Sequence, residues 1–415
     1  MVMSHCLVST TEVSAMRCKF CKKEINENTK TCPFCDRKTS QKKMTVLYWA
    51  AGGSIVLAIW FFALGGNTVV ADWLYSDGFT VDSNFERNII PLNEMTIEID
   101  PDFNATFVNR VNYYQGLLIG VFDGEIYSQL LGEEVRKINS DNLETYQVIR
   151  YIEAGMAFNK MDIAGGTLYY AQPRGHLKRY DFSQTNQDEF IFEAVSTGIF
   201  DFQRFDNFVL HRTFTWNFFR HRPNRIADEN IYRFDLENGI YEVWIDGGVR
   251  GIREFFADEK NDRILFSVGS SIFEVDFNGE NKNLITDNFL HYTRNDPHMT
   301  FGWMYDGNRV GWIDSQDWTG IQSSAFVFDF ETKEETYLGR IPDGAAIGAI
   351  SNYILISDTR GHLYLVDIDA RHRRLLTDDV MRFAVVGDHI FYQQLGTGNI
   401  YVMDLDGNVA LFNVE

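Results

Sequence analysis

Residues 390–408 read Ile390-Phe-Tyr-Gln-Gln-Leu-Gly-Thr-Gly-Asn-Ile400-Tyr-Val-Met-Asp404-Leu-Asp406-Gly407-Asn408. Two short runs of branched and aromatic residues, of the kind that favour strands, flank a turn containing glycine. A Leu-Asp-Gly-Asn turn follows, in which Gly407 supplies the positive φ of a tight reversal. The unit recurs. Ile354-Leu-Ile-Ser, Arg360-Gly361, Leu363-Tyr-Leu-Val-Asp367 and Ile-Asp369 form one copy. Ile264-Leu-Phe-Ser, Ile272-Phe-Glu-Val-Asp276 and Phe-Asn278-Gly279 form another. Further copies run from Leu168-Tyr-Tyr to Asp181, and through Ile231-Tyr-Arg-Phe-Asp235 and Phe326-Val-Phe-Asp329. A degenerate first copy runs from Leu117-Leu-Ile to Ile126-Tyr127.

The anchor aspartates at 181, 235, 276, 329, 367 and 404 are spaced by 54, 41, 53, 38 and 37 residues. A period of about 40 residues built from short alternating strands marks β-propeller blades, and the longer spacings mark loop insertions. The chain is therefore read as all-β, a propeller over residues 91–415. Seven blades are expected, with six or eight as alternatives. Strands near Met95–Ile99 and Phe107–Val111 are expected to complete the last blade and close the ring. The Asp-x-Asp-Gly and Asn-Gly steps read as turn chemistry, because Asp404, Asp406 and Asn408 lack the other ligands of a calcium loop.

Ahead of the repeats lies a different kind of sequence. Cys18-Lys-Phe-Cys21 and Cys32-Pro-Phe-Cys35 are two Cys-x-x-Cys pairs separated by ten residues. Two knuckles at hairpin tips deliver four thiolates to a tetrahedral zinc. Residues 16–40 are read as a zinc ribbon, with Cys18, Cys21, Cys32 and Cys35 as structural ligands. Four cysteines leave no open position for chemistry, and so small a segment needs the metal to fold. Cys6 is a bystander, and residues 1–15 are a disordered tail or precede a true start at Met16.

Thr45 to Leu64 is twenty residues without a charge, long enough as a helix to cross about 30 Å of hydrocarbon. Tyr48, Trp49 and Trp60 lie near its ends, as interfacial aromatics do. Lys38, Lys42 and Lys43 precede it, and Asp72, Asp77 and Asp82 follow. The positive-inside rule places the N-terminus in the cytoplasm and the large domain outside, in a single-pass protein of the cell membrane. Residues 65–90 are read as a linker. Ala50, Ser54 and Ala58 form a small-residue series that allows a homodimer through the span.

Charge is uneven. Residues 1–44 carry nine Lys/Arg and four Asp/Glu, and the remainder carries 29 and 54. A domain this acidic repels nucleic-acid phosphates. No nucleophile-elbow, zincin, Walker or dinucleotide fingerprint is present.

The cysteine segment resembles the minimal zinc ribbons at the N-terminus of many bacterial membrane proteins. The repeats, through Leu168-Tyr-Tyr-Ala, Ile390-Phe-Tyr-Gln and Leu405-Asp406-Gly407, resemble prokaryotic propellers related to those of low-density-lipoprotein-receptor proteins, although the Trp-Thr-Asp element of that family is missing. The whole layout is similar to Gram-positive envelope proteins of unknown function. These resemblances imply extracytoplasmic binding of a cell-envelope polymer, peptide or protein, rather than catalysis. Two alternatives stay open: a glycan hydrolase or lyase with its site in the propeller channel, and a signalling protein whose zinc ribbon recruits a cytoplasmic partner.

Two insertions carry ligand candidates. Residues 207–227 hold Arg212, Arg220, Arg222 and Arg225 with His211 and His221, and suit an anionic or glycan ligand unless the arginines pair with neighbouring carboxylates. The second holds Trp303, Trp312 and Trp318 with His298, Asp314 and Asp317. Its tryptophans stack on sugar rings or pack the blades.

Metal analysis of the N-terminal segment should give one zinc per chain, and Cys21→Ser should abolish it. Full metal content in that variant would remove the zinc assignment.

Overall fold

The structure is a computed structural model. It describes residues 15–17, 24–26, 80–82, 86–100, 105–114, 117–129, 134–151, 161–172, 176–183, 188–193, 199–213, 230–248, 251–287, 302–315, 323–341, 344–358, 360–369 and 371–412. The chain divides into two compact units, Met1–Leu74 and Tyr75–Glu415. In the first, Ala15–Arg17 pairs antiparallel with Glu24–Asn26. The four cysteines and the apolar stretch Thr45–Leu64 lie outside the described residues. Among the described residues, no helix is long and apolar enough to cross a membrane.

The second unit is a seven-bladed β-propeller. Each blade is a meander of four consecutive antiparallel strands. Blade 1 spans 119–151, blade 2 161–193, blade 3 199–245, blade 4 255–286, blade 5 303–341, blade 6 344–377 and blade 7 380–411. The anchor aspartates end the third strands or, in blade 4, directly follow the strand, as the repeat spacing implies. Their carboxylates cap the following turn: Asp404 accepts from the amides of Asp406 and Asn408, and Asp235 from those of Glu237 and Asn238. Those backbone N–H groups have no strand partner, so the carboxylate satisfies them locally.

Apolar clusters fill the seams between blades. One joins blades 1 and 2 through Tyr127, Val135, Ile163 and Leu168, and another joins blades 3 and 4 through Leu210, Ile231, Phe255 and Phe266. Because each blade has a neighbour on both faces, the inner strands of blades 4 and 5 lose the alternation of a half-buried strand. Phe255–Asp258 and Trp303–Tyr305 are buried at every position, whereas the fourth strand of blade 1, Tyr146–Tyr151, is exposed or half-buried throughout.

The ring does not close as expected from sequence. Blade 7 takes all four meander strands from the C-terminal 380–411. Met95 and Ile97 are buried, but in no strand; they fill the seam between blades 7 and 1. The segment read as a linker instead supplies two outer strands. Thr80–Asp82 adds in parallel to the fourth strand of blade 6, and Asn88–Ile89 to that of blade 7. Both cover edges that would otherwise expose unpaired backbone groups.

Phe107–Val111 is not a strand either. It belongs to helix α1, Ala105–Tyr114, which lies in the central channel. Phe107, Val108 and Val111 follow helical rather than alternating spacing, and all three are buried. Phe107 packs against Tyr305 of blade 5 and Phe256 of blade 4, at ring separations of 4.7 and 6.4 Å. The polar face of α1 reaches the inward edges of the inner strands. Asn109 pairs both backbone groups of Val121 in blade 1: its Nδ2 donates to the carbonyl at 2.6 Å and its Oδ1 accepts from the amide at 2.9 Å. Asn112 pairs Val385 of blade 7 in the same way, at 2.6 and 2.7 Å. Gln203 of blade 3 does so for Ala257 of blade 4. Each amide supplies the donor and acceptor that a neighbouring strand would have supplied.

Arg110 is the charged member of this set. Its Nη2 lies 2.6 Å from Asp201 Oδ2, with both side chains almost wholly buried, and also donates to the Phe255 carbonyl. Its Nη1 donates to the Phe202 carbonyl at 2.9 Å, and the guanidinium carbon sits 4.5 Å from the Phe255 ring centroid. Two glycines permit the close approaches. A Cβ on Gly120 would meet Asn109 Oδ1 at 2.2 Å, and one on Gly387 would meet the Glu98 carbonyl oxygen at 2.8 Å.

Arg110→Ala leaves the Asp201 carboxylate buried without its cation, which costs about 3–5 kcal/mol. Urea unfolding should show that loss. The double variant Arg110→Met/Asp201→Leu should recover part of it, since an apolar pair leaves no uncompensated charge while the Phe202 and Phe255 carbonyls still lose their donor.

Candidate functional site

Helix α1 does not fill the channel evenly. A crevice of about 260 Å³ remains between α1 and the inner strands of blades 1, 2 and 3, Ile119–Phe122, Met161–Ala164 and Ile199–Arg204. Its floor is apolar, from Leu117, Ile119, Met161, Ile163 and Phe202, all buried. Its rim is polar, with Thr106 and Asp123 exposed and Asp162 and Arg204 half-buried.

Each rim charge is held in a defined way. Asp123 sits in the hairpin turn of blade 1 and accepts from the Gly165 amide of blade 2 at 2.7 Å. This contact ties two adjacent turns at the channel mouth. Arg204 Nε lies 3.8 Å from Asp162 Oδ2, and its guanidinium carbon 5.1 Å from the Tyr169 ring centroid. Arg204 Nη1 also donates to the Phe205 carbonyl at 3.3 Å. Arg110, deeper in the crevice, is neutralised by Asp201. The arrangement offers an apolar slot with a charged rim. Among the described residues, no three His, Cys, Asp or Glu side chains stand together as metal ligands.

The residues singled out by sequence fall elsewhere. Arg212 does not project. It lies on the second strand of blade 3, Phe208–Thr213, is 4% exposed, and donates to the Ile252 carbonyl at 3.4 Å. Arg220, Arg222 and Arg225 lie outside the described residues. Trp303 and Trp312 face each other across the first two strands of blade 5, 1% and 2% exposed. Trp303 meets Phe256 edge-on and Trp312 stacks on Phe326, so both rings serve the blade core and present no face to a sugar. Trp318, His298 and Asp317 lie outside the described residues. Asp314 is half-buried, and burial pushes its carboxyl up to about 6, with like charge from Asp287 and Glu335 adding to the effect.

The crevice residues escaped sequence reading because Asp123, Asp162 and Arg204 come from three blades, with no motif linking them. The available signal was Asn109-Arg110-Val-Asn112, a polar run on apolar helical spacing ahead of the first blade.

No family model matches the chain, and no curated protein matches it. Solved structures of similar fold include an oligogalacturonate lyase in complex with manganese, 10% identical, covering 75% of this chain and 90% of that one at a TM-score of 0.48. An oligogalacturonate lyase from Vibrio parahaemolyticus is 10% identical over 80% of this chain and 94% of that one, at a TM-score of 0.45. BamB from Moraxella catarrhalis is 11% identical over 71% and 86%, at a TM-score of 0.42. At these distances the likeness carries no functional inference, and the propeller assignment rests on the seven sheets themselves.

His211, beside Arg212, gives a pH dependence. It is wholly buried among Phe192, Tyr232 and Tyr241, at ring separations of 5.0, 5.6 and 5.3 Å. Among the described residues neither ring nitrogen has a hydrogen-bond partner, and burial lowers its pKa from 6.5 to about 3. The unfolded chain takes up a proton as pH falls through 6.5, while the folded chain does not. Its contribution to stability is therefore complete above that pH and lost progressively between pH 6.5 and about 3. The loss at pH 5 is about 2 kcal/mol. Urea melts at pH 7.5 and 5.0 should show a smaller acid penalty for His211→Phe than for the wild type.

Proposed function

We propose that this chain is a non-enzymatic binding module, a propeller held on the outer side of a membrane by the Thr45–Leu64 span and presented to an envelope polymer, peptide or protein. The observation that supports this reading best is the helix in the channel. In α1, Asn109 and Asn112 are engaged with inner-strand backbone groups, and Arg110 with Asp201 and two carbonyls. They hold the ring together and are not presented to a substrate. What remains beside the helix is a narrow apolar slot, a shape suited to capturing a protruding group. The sequence supports the placement. The basic flank Lys38, Lys42 and Lys43 lies on one side of the uncharged stretch, and an acidic domain of 29 Lys/Arg against 53 Asp/Glu (residues 75–415) lies on the other. On this reading the N-terminal ribbon carries structural zinc on Cys18, Cys21, Cys32 and Cys35 in the cytoplasm.

Envelope fractions incubated with the purified chain should retain it in sedimented complexes, and salt should weaken the retention. Shortening of a wall glycan by the chain alone, with no stable retention, would replace the binding reading with an enzymatic one.

A further inference from the structure

Resting on the reading of the propeller as a binding module, we infer that the crevice beside α1 receives a lysine or arginine side chain from a basic segment of a partner protein. The occupant is indicated first by size. About 260 Å³ falls just below the roughly 300–1,000 Å³ of small-molecule pockets and fits one long side chain better than a folded surface or a cofactor.

Layering is the second indication. An amphipathic cation needs an apolar path for its methylene stem and an anionic rim for its head group. The crevice provides both: Met161, Ile163 and Ile119 line it as buried side chains, while Asp162 is half-buried and Asp123 exposed.

Charge is the third. An anionic head group entering this slot would meet a net negative charge, because Asp123, Asp162 and Asp201 outnumber Arg110 and Arg204. Arg110 is matched by Asp201, and Arg204 lies against Tyr169, the Phe205 carbonyl and Asp162. A cation meets the Asp123 carboxylate of blade 1 and the Asp162 carboxylate of blade 2, the latter shared with Arg204. It also approaches down the field of a domain with 24 excess negative charges, from 29 Lys/Arg and 53 Asp/Glu over residues 75–415. Such a field raises the encounter rate of basic partners and fades with salt over a Debye length of about 8 Å at physiological ionic strength.

The test uses the full chain in mild detergent and three fluorescein-labelled peptides of equal length, alternating glycine with lysine, norleucine or glutamate. Anisotropy titrations should show the lysine peptide binding at least tenfold more tightly than the norleucine peptide, and the glutamate peptide not binding. Asp162→Asn should weaken lysine-peptide binding about tenfold. Ala164→Phe, which fills the slot from blade 2 without changing any charge, should weaken it at least as much, with the melting temperature kept. Glu237→Gln, the same charge change in an exposed turn of blade 3, should leave it unchanged. Equal losses for Glu237→Gln and Asp162→Asn would show diffuse attraction by the acidic surface and overturn the inference. Undiminished binding by Ala164→Phe, or tight binding of the norleucine peptide, would overturn it as well. Retention of envelope material by a chain that ignores the lysine peptide would overturn this inference while leaving the binding module intact.

Discussion

Seven inner strands meet around one axis, and each turns a row of backbone N–H and C=O groups toward it. The rest of the domain depends on how these edges are satisfied. Water can do it where a channel is open, but water leaves the inner strands hydrated and the ring weakly braced. Here side-chain amides do much of it. Asn109 and Asn112 from α1 and Gln203 from blade 3 each meet both polar groups of one residue on a facing strand. Arg110 adds carbonyls from blades 3 and 4 and a buried carboxylate. One helix of ten residues thus ties blades 1, 3, 4 and 7 and packs its apolar side on blades 4 and 5.

This bracing also decides where a ligand can enter. The helix packs most closely on blades 1, 5, 6 and 7 and reaches blades 3 and 4 through Arg110 and Phe107, and the vacant part of the channel faces blades 1 to 3. The slot inherits its apolar floor from the inner strands and its charge from the hairpin turns at their ends. A propeller closed without the helix would have presented a symmetric channel of seven edges. The off-axis helix produces an asymmetric crevice with distinct walls, and asymmetry is what allows one side chain to be distinguished from another.

The second brace is peripheral. A propeller closed by sharing one blade between the two ends of the chain relies on strand hydrogen bonds to lock the ring. In this domain both ends run along the outer rim instead. Asn88–Ile89 lies beside Asn408–Leu411, with the Asn88 amide bonded to the Gly407 carbonyl at 2.9 Å and the Ile90 amide to the Val409 carbonyl at 2.9 Å. Arg87 reaches Thr377 at 2.9 Å. The lock is therefore made by two short parallel strands and by Met95 and Ile97 in the seam between blades 7 and 1.

The sequence by itself determined the all-β class and the period, and favoured seven blades over six or eight, because each depends on local rules. A third strand ending in aspartate and a turn containing Gly are legible in a few residues, and Asp235, Asp329 and Asp404 cap their turns as that chemistry requires. Helix α1 was within reach of the same rules, since Phe107, Val108 and Val111 keep helical spacing, but the polar residues between them also fit a strand. Depth was not legible. Arg212, Trp303 and Trp312 look like surface ligands by residue type, yet burial follows from which blade face they point toward, and cross-blade packing decides that. Only the tertiary structure decided that α1 occupies the channel and that Asp123, Asp162 and Arg204 converge beside it. The physical reason is that convergence around an axis depends on contacts between residues far apart in the chain, and no local periodicity records them.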